Sequence, residues 1–247
     1  VNNGQLIVEG DYVIQRPAVD ADSSPDYSSG VLKMLNDADK VLVKGHFVMD
    51  SNQSHAPYLT AGELEIWGNF TQAHSYSGSG NAAASNNFHS SGTHRVKLSG
   101  SDSQAIHFNS AHFSYSHFNI LDISNSSAIG VDLLSPVVIN KELVATSTPI
   151  VHSEQLSLSG TALISQGNWL YDLVLGGKSG NWTLQQNQLI TQNFYLQSST
   201  LDLNGKTLTI QGNLIHTGGV LLVNNGQLIV EGDYVIQRPA VDADSSP

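Results

Sequence analysis

Cysteine is absent from the 247 residues. That removes disulfides, Cys-ligated zinc, iron–sulfur clusters and thiol nucleophiles together, and leaves the redox compartment open. Positive charge is scarce, with 10 Lys and Arg against 21 Asp and Glu and a formal net charge of −11. Such a balance disfavours a nucleic-acid partner. Charged residues make up only 13% of the chain, too few for the charge-laced faces of helical bundles and coiled coils. No apolar run approaches the roughly 18 residues of a membrane span. Val1 opens the sequence without a signal peptide, so an export signal is expected elsewhere in a parent chain.

What is present is a hydrophobic fraction of 40%, enough for a core, set among abundant Gly, Ser, Asn, Thr and Gln. These residues suit half-buried strands and exposed turns. Residues Val1–Pro25 return without one change at Val223–Pro247, an offset of 222 residues. Divergent duplication would scatter substitutions, so the sequence reads as one 222-residue unit of a near-identical tandem array plus a 25-residue overlap. A shorter period lies inside the unit. The segments at Gln192–Gln197, Gly212–Thr217 and Gly232–Gln237 are alike and 20 residues apart, and the same signature stands at Gly10–Gln15, Gly45–Asp50 and Gly68–Ala73.

Between these marks apolar and polar residues alternate, as in Leu201-Asp202-Leu203 and Leu208-Thr209-Ile210, and Asn204-Gly205 and Asn225-Gly226 punctuate them. Period-two alternation broken by Asn-Gly predicts short strands joined at tight corners. About three short strands per ~20-residue coil is the arithmetic of an all-β, parallel β-helix (β-solenoid), right-handed by the general preference of crossovers. An antiparallel meander, which Asn-Gly also favours, is the competing fold. One continuous solenoid is expected over 1–247, interrupted by polar loops at about 16–30 and 74–92.

Ser199–Gln237, together with GTHRVKLSGSDSQAIHF (Gly92–Phe108) and SHFNILDIS (Ser116–Ser124), resembles the repeats of large secreted bacterial surface proteins, in the style of filamentous-haemagglutinin and adhesin-type β-helices. The resemblance implies an extracellular or cell-surface location and a stalk or fibre role, and specifies no ligand. Neither terminus offers an amphipathic capping helix, and both carry the same strand sequence QLIVEGDYVIQ. Uncapped, identical ends predict head-to-tail stacking that elongates without closing.

Chemistry is thin. The three arginines are Arg16, Arg95 and Arg238, the first and last being one repeat position, and the acidic residues are scattered. No enzyme and no cofactor are expected. Asp20, Asp22 and Asp26 put three carboxylates in one probable loop, which reads either as a solvated acidic loop or as an oxygen-rich calcium site. His107, His112 and His117 recur every five residues, each followed by Phe. Five is odd, so on one strand they face opposite sides; the expectation is phenylalanines in the core and histidines toward solvent or corners. Trp67, Trp169 and Trp182 offer sugar-stacking faces or, more simply, packing. The sequence therefore points to a structural unit of an extracellular fibre, with identical units as partners and glycans or matrix as further ones. A carbohydrate-binding adhesin or polysaccharide-acting β-helix is the alternative.

Overall fold

A computed structural model describes residues 1–18, 25–78, 81–145, 150–152, 154–159, 162–164, 168–169, 172–177 and 179–237. In chain order the strands of the first half are β1 (Gln5–Val8), β2 (Tyr12–Ile14), β3 (Lys40–Val43), β4 (Phe47–Met49), β5 (Glu63–Ile66), β6 (Phe70–Gln72), β7 (Arg95–Leu98), β8 (Gln104–Phe108), β9 (Phe118–Ile123), β10 (Val131–Leu133), β11 (Val137–Ala145) and β12 (Ile150–His152). The five-residue helix α1 (Asn81–Ser85) interrupts them. The second half holds β13 (Leu156–Leu158), β14 (Ala162–Ile164), β15 (Asn168–Trp169), β16 (Leu173–Leu175), β17 (Asn181–Leu184), β18 (Gln188–Ile190), β19 (Phe194–Leu196), β20 (Thr200–Asp202), β21 (Thr207–Ile210), β22 (Leu214–His216), β23 (Val220–Leu222), β24 (Gln227–Val230) and β25 (Tyr234–Ile236).

The chain is all-β with long parallel sheets, an arrangement compatible with a β-helix. An eleven-stranded sheet runs β1-β3-β5-β7-β9-β11-β13-β16-β19-β22-β25, a six-stranded sheet β12-β10-β8-β6-β4-β2, and two four-stranded sheets β14-β17-β20-β23 and β15-β18-β21-β24. Every paired strand among the described residues is parallel to its neighbour, which excludes the antiparallel meander. The connections are then long by necessity, because parallel neighbours need a crossover.

Spacing departs from the expected coil of about 20 residues in the first half. Phe194, Leu214 and Tyr234 pair at intervals of 20, but Gln5 pairs with Lys40, Lys40 with Glu63 and Glu63 with Arg95. The insertions at 16–30 and 74–92 account for the longest steps. Between β2 and β3, β4 and β5, and β6 and β7 the described residues make only isolated parallel bridges to one another and onward, Ser28 to Ser51, Met34 to Leu59, Leu59 to Ser90 and His89 to His117. The second insertion returns to the core: Phe88 and Asn87 are fully buried, although the surrounding stretch is polar.

Side chains one step apart in a parallel ladder lie above one another, so like packs on like. Val41, Leu64, Val96 and Leu121 form one buried column, and Val43, Ile66, Leu98 and Ile123 form the next. An aromatic column stands beside them. Tyr12 stacks on Phe47 (5.5 Å, 6°) and Phe47 on Phe70 (5.6 Å, 9°), while Phe88, Phe108 and Phe118 surround Phe70 at centroid distances of 4.7–5.0 Å. Each fully buried Leu, Ile, Val or Phe contributes about 1.5–3 kcal/mol of transfer free energy.

Candidate functional site

The most distinctive surfaces are the two open ends of the sheets. At one end β1 and β2 are edge strands of the eleven- and six-stranded sheets. Beside them Val31–Leu35 alternates: Leu32 and Met34 are buried, and Val31, Lys33 and Leu35 are exposed. At the other end β25, β23 and β24 are the edges of the eleven-stranded sheet and of the two four-stranded sheets. Large apolar side chains are exposed at both, among them Ile7 (49%), Val13 (50%), Leu35 (49%), Val220 (48%) and Ile236 (74%). Open parallel edges with apolar side chains are templates for further strands.

The identical segments occupy these opposite ends. β24 has the sequence of β1, and β25 that of β2. Asn3 and its counterpart Asn225 both take a left-handed backbone (φ 54° and 60°), which Asn tolerates better than most residues. The second half repeats this corner: Asn204 and Gly205 (φ 48° and 72°) lie one coil before Asn224 and Asn225 (φ 41° and 60°). The expected Asn-Gly corner is therefore shifted by one residue at the second site. Gly226 instead sits where a Cβ would come within 2.5 Å of the Lys206 carbonyl oxygen.

A corner ladder runs through both halves. The glycine N–H of one coil donates to the carbonyl below it: Gly68 to Gly45 (2.9 Å) and Gly45 to Gly10 (3.0 Å) at one end, Gly232 to Gly212 (3.1 Å) and Gly212 to Gln192 (3.0 Å) at the other. The residue one position further along uses its side chain as an acceptor for the next backbone N–H above it. Asp172 Oδ1 accepts from Asn193 N (3.0 Å), Asn193 Oδ1 from Asn213 N (3.0 Å), and Asn213 Oδ1 from Asp233 N (2.8 Å). Asp11, the counterpart of Asp233, accepts from His46 N (2.6 Å), His46 Nδ1 accepts from Asn69 N (2.9 Å), and Asn69 Oδ1 from Ala105 N (2.9 Å). Short acceptor side chains are suited to such backbone bonds. Asp39 closes the corner beside β1, accepting from Asn3 N (2.6 Å), Leu35 N (2.9 Å) and Asn36 N (3.1 Å). Burial works to raise its pKa, but the three N–H donors overcome it and hold the carboxyl below its usual range.

The sequence candidates scatter. Asp20 and Asp22 lie outside the described residues, and Asp26 pairs with Arg16 at 2.9 Å. Among the described residues no group of three or more His, Asp or Glu gathers as for a metal. Arg95 pairs with Asp122 (2.8 Å); Arg238 lies outside the described residues. Phe108 and Phe118 enter the core, Phe113 departs from the expectation in being only half-buried, and His107 and His112 stay outside the core. His117 departs from the expectation. It is buried, with Nδ1 and Nε2 against the carbonyls of Tyr115 and Ser90 (2.8 and 3.0 Å). Burial, reinforced by the neighbouring His89, pushes its pKa down to about 4. His55 and His94, not singled out in the sequence, are buried as well, and desolvation lowers them to about 4 and about 3. Trp182 is fully buried and Trp67 is exposed beneath the Lys44 ammonium (5.5 Å); the side chain of Trp169 lies outside the described residues.

A cleft of about 210 Å³ opens beside β11, β13 and β16, lined by His112, Phe113, Val138, Ser157, Val174 and Gln197 among others. Among the described residues its lining holds no carboxylate and no Lys or Arg, His112 being the one titratable side chain there; the paired carboxylates of a glycosidase and the Arg or Lys base of a lyase are not found among them. Searches against protein-family models, curated proteins and solved structures find no match to this chain.

Proposed function

We propose that this chain is a repeat module of an extracellular β-helical fibre: a right-handed parallel solenoid of about three strands per coil, stacked head to tail on identical modules. One observation carries the reading. A single strand pair, QLIV and YVI, stands at one end with only its following neighbours (β3 and β4) and at the other with only its preceding neighbours (β21 and β22). Overlaid in sequence, the two copies supply both sides of one continuous stack.

The inward side chains agree between the copies. Leu208 pairs with Leu228, and its counterpart Leu6 with Val41; Ile210 pairs with Val230, and its counterpart Val8 with Val43. The corner ladder joins in the same way, since Asp233 N donates to the coil before and Asp11 Oδ1 accepts from the coil after. A junction of this kind hides the apolar edges and leaves no unpaired row of backbone groups. The net charge of −11 keeps rods apart laterally while axial pairing proceeds. The work of the fibre is mechanical and spatial, in surface attachment or cell–cell and matrix scaffolding. The likeness of Ser199–Gln237 to adhesin-type repeats supports the surface location.

The test is a protein carrying three consecutive units. Electron microscopy is expected to show straight rods about three times the single-unit length, with a higher melting temperature than one unit. Flexible beads of independently melting units would overturn the reading. Tight glycan-array binding by an isolated unit would favour the adhesin alternative.

A further inference from the structure

Each end has three open edges, and sequence identity matches two of them. β24 is the following unit's β1 and β25 is its β2, which leaves β23 at one end and Val31–Leu35 at the other. We propose that β23 of each unit pairs in parallel with Val31–Leu35 of the next, with Leu222 opposite Lys33. This rests on the tandem reading above and specifies its joint.

The register comes from a hydrogen bond already present. The terminal amino group of Val1, the nitrogen that is a backbone amide in a tandem chain, donates to the carbonyl of Lys33 at 2.8 Å. In a tandem array position 1 is position 223, the residue directly after Leu222. In the ladder one coil earlier Asp202 pairs with Leu222, and the next amide, Leu203 N, donates to the Leu222 carbonyl at 2.9 Å. The same pattern moved on by one coil makes Val223 N to Lys33 O the mark of a Leu222–Lys33 pair. It follows that Val220 pairs with Val31, Leu221 with Leu32 and Val223 with Met34.

Facing and burial agree with this register. Leu221 stands over the buried Leu201, and Leu32 is buried, so the inward column continues. Val223 follows the buried Leu203, and Met34, fully buried, leads on to Leu59 by its bridge. Both Val1 and Leu221 pack against the core cluster from its two ends. The outward residues Val220, Leu222, Val31 and Lys33 are all exposed. Val31–Leu35 already has strand alternation and lacks only the preceding strand.

The joint fixes the phase of the array. From β1 the ladder climbs through β3, β5, β7, β9 and β11; β11 contacts β14, and the climb goes on through β17 and β20 to β23, nine steps in all. β24, the copy of β1, lies on the next face. One unit is therefore nine coils and one face, and each unit is turned by a third of a revolution relative to the last, besides the twist of the coils themselves. The insertions at 16–30 and 74–92 then emerge on three sides in succession.

The cysteine-free chain allows a direct test in a protein of two consecutive units. Leu222→Cys in the first unit and Lys33→Cys in the second would lie on adjacent strands about 4.8 Å apart, within disulfide reach. The control joins Leu222→Cys to Leu35→Cys of the second unit, which faces outward like Lys33 but stands two residues out of the proposed register and so beyond disulfide reach. The first pair is expected to close nearly completely under mild oxidation and the control not at all. Hydrogen exchange on the unsubstituted two-unit protein is expected to protect the amides of Val31 and Lys33 in the second unit but not in the first, because those of Leu32, Met34 and Leu35 already donate to His55, Tyr58 and Asp39 in every unit. Closure of the control pair overturns the joint. So does failure of both pairs without new protection, in a protein that still melts as one body above the single unit, and the tandem reading then stands. If the two units also melt independently, both fall.

Discussion

His94 is fully buried against Phe88, ring centroids 6.2 Å apart, and neither ring nitrogen has a hydrogen-bond partner among the described residues. A charged imidazolium has no counter-ion there, so desolvation lowers its pKa to about 3. His55 and His117 are lowered to about 4, mainly for the same reason. Each folded-state value lies below the unfolded value of 6.5, so the unfolded chain binds more protons between the two. Stability is full above pH 6.5 and falls as pH drops toward 4, by up to about 1.4 kcal/mol per pH unit for each histidine. Urea titrations at pH 7.0, 5.5 and 4.5 check this. His94→Leu is expected to flatten the slope by one histidine's share.

Phe70 is the hub of the aromatic column, touching Phe47, Phe88, Phe108 and Phe118. Those four come from different coils and from the end of an insertion, so a hole at Phe70 loosens several coils together. Phe70→Ala is expected to cost about 3–5 kcal/mol in chemical denaturation, and Phe70→Leu distinctly less, since Leu refills part of the space.

The corner glycines and the alternating strands were legible in the sequence because both signals are local. A period of two sorts side chains without knowledge of the partner strand. The return of about 20 residues was visible only from β13 onward, where no insertion stretches the coil. Met34, Leu59 and Ser90 make single bridges instead of strands, too short for alternation to reveal, and Phe88 is a lone apolar residue in a polar run that looks like surface. The burial of His94 had no signal at all. Flanked by Thr93 and Arg95, it reads as polar, and only the stacked coils decide that it points inward.

Asp39 gathers three backbone N–H groups at the corner before β3. Asp39→Ala strands those donors in a partly buried corner and is expected to cost about 2–3 kcal/mol. Asp39→Asn retains one acceptor oxygen and costs less. The carboxyl's folded pKa lies below the ordinary 3.8, so its contribution is present above that value and is lost as pH falls through the folded one. Asp39→Asn should therefore remove that carboxyl's share of the acid sensitivity below pH 3.8 while leaving the histidine slope between 6.5 and 4 unchanged.

Gly10 and Gly232 are the same residue of the repeat in two surroundings. A Cβ on Gly10 meets nothing within 4 Å, whereas one on Gly232 meets the Gly212 carbonyl oxygen at 2.6 Å and Asn213 Oδ1 at 2.6 Å. The difference is the coil beneath, present for Gly232 and absent for Gly10. In the single unit Gly10→Ala is expected to be neutral to within about 0.5 kcal/mol, while Gly232→Ala detaches the last strand, seen as faster exchange of the Tyr234–Ile236 amides. In a protein of two units the asymmetry moves: glycine 10 of the second unit now rests on the first, and its substitution by Ala is expected to cost about 2 kcal/mol, the penalty of forcing backbone apart in a packed stack. Equal, small effects at glycine 10 of both units would mean that no coil lies beneath the second unit, and that the identical ends do not stack.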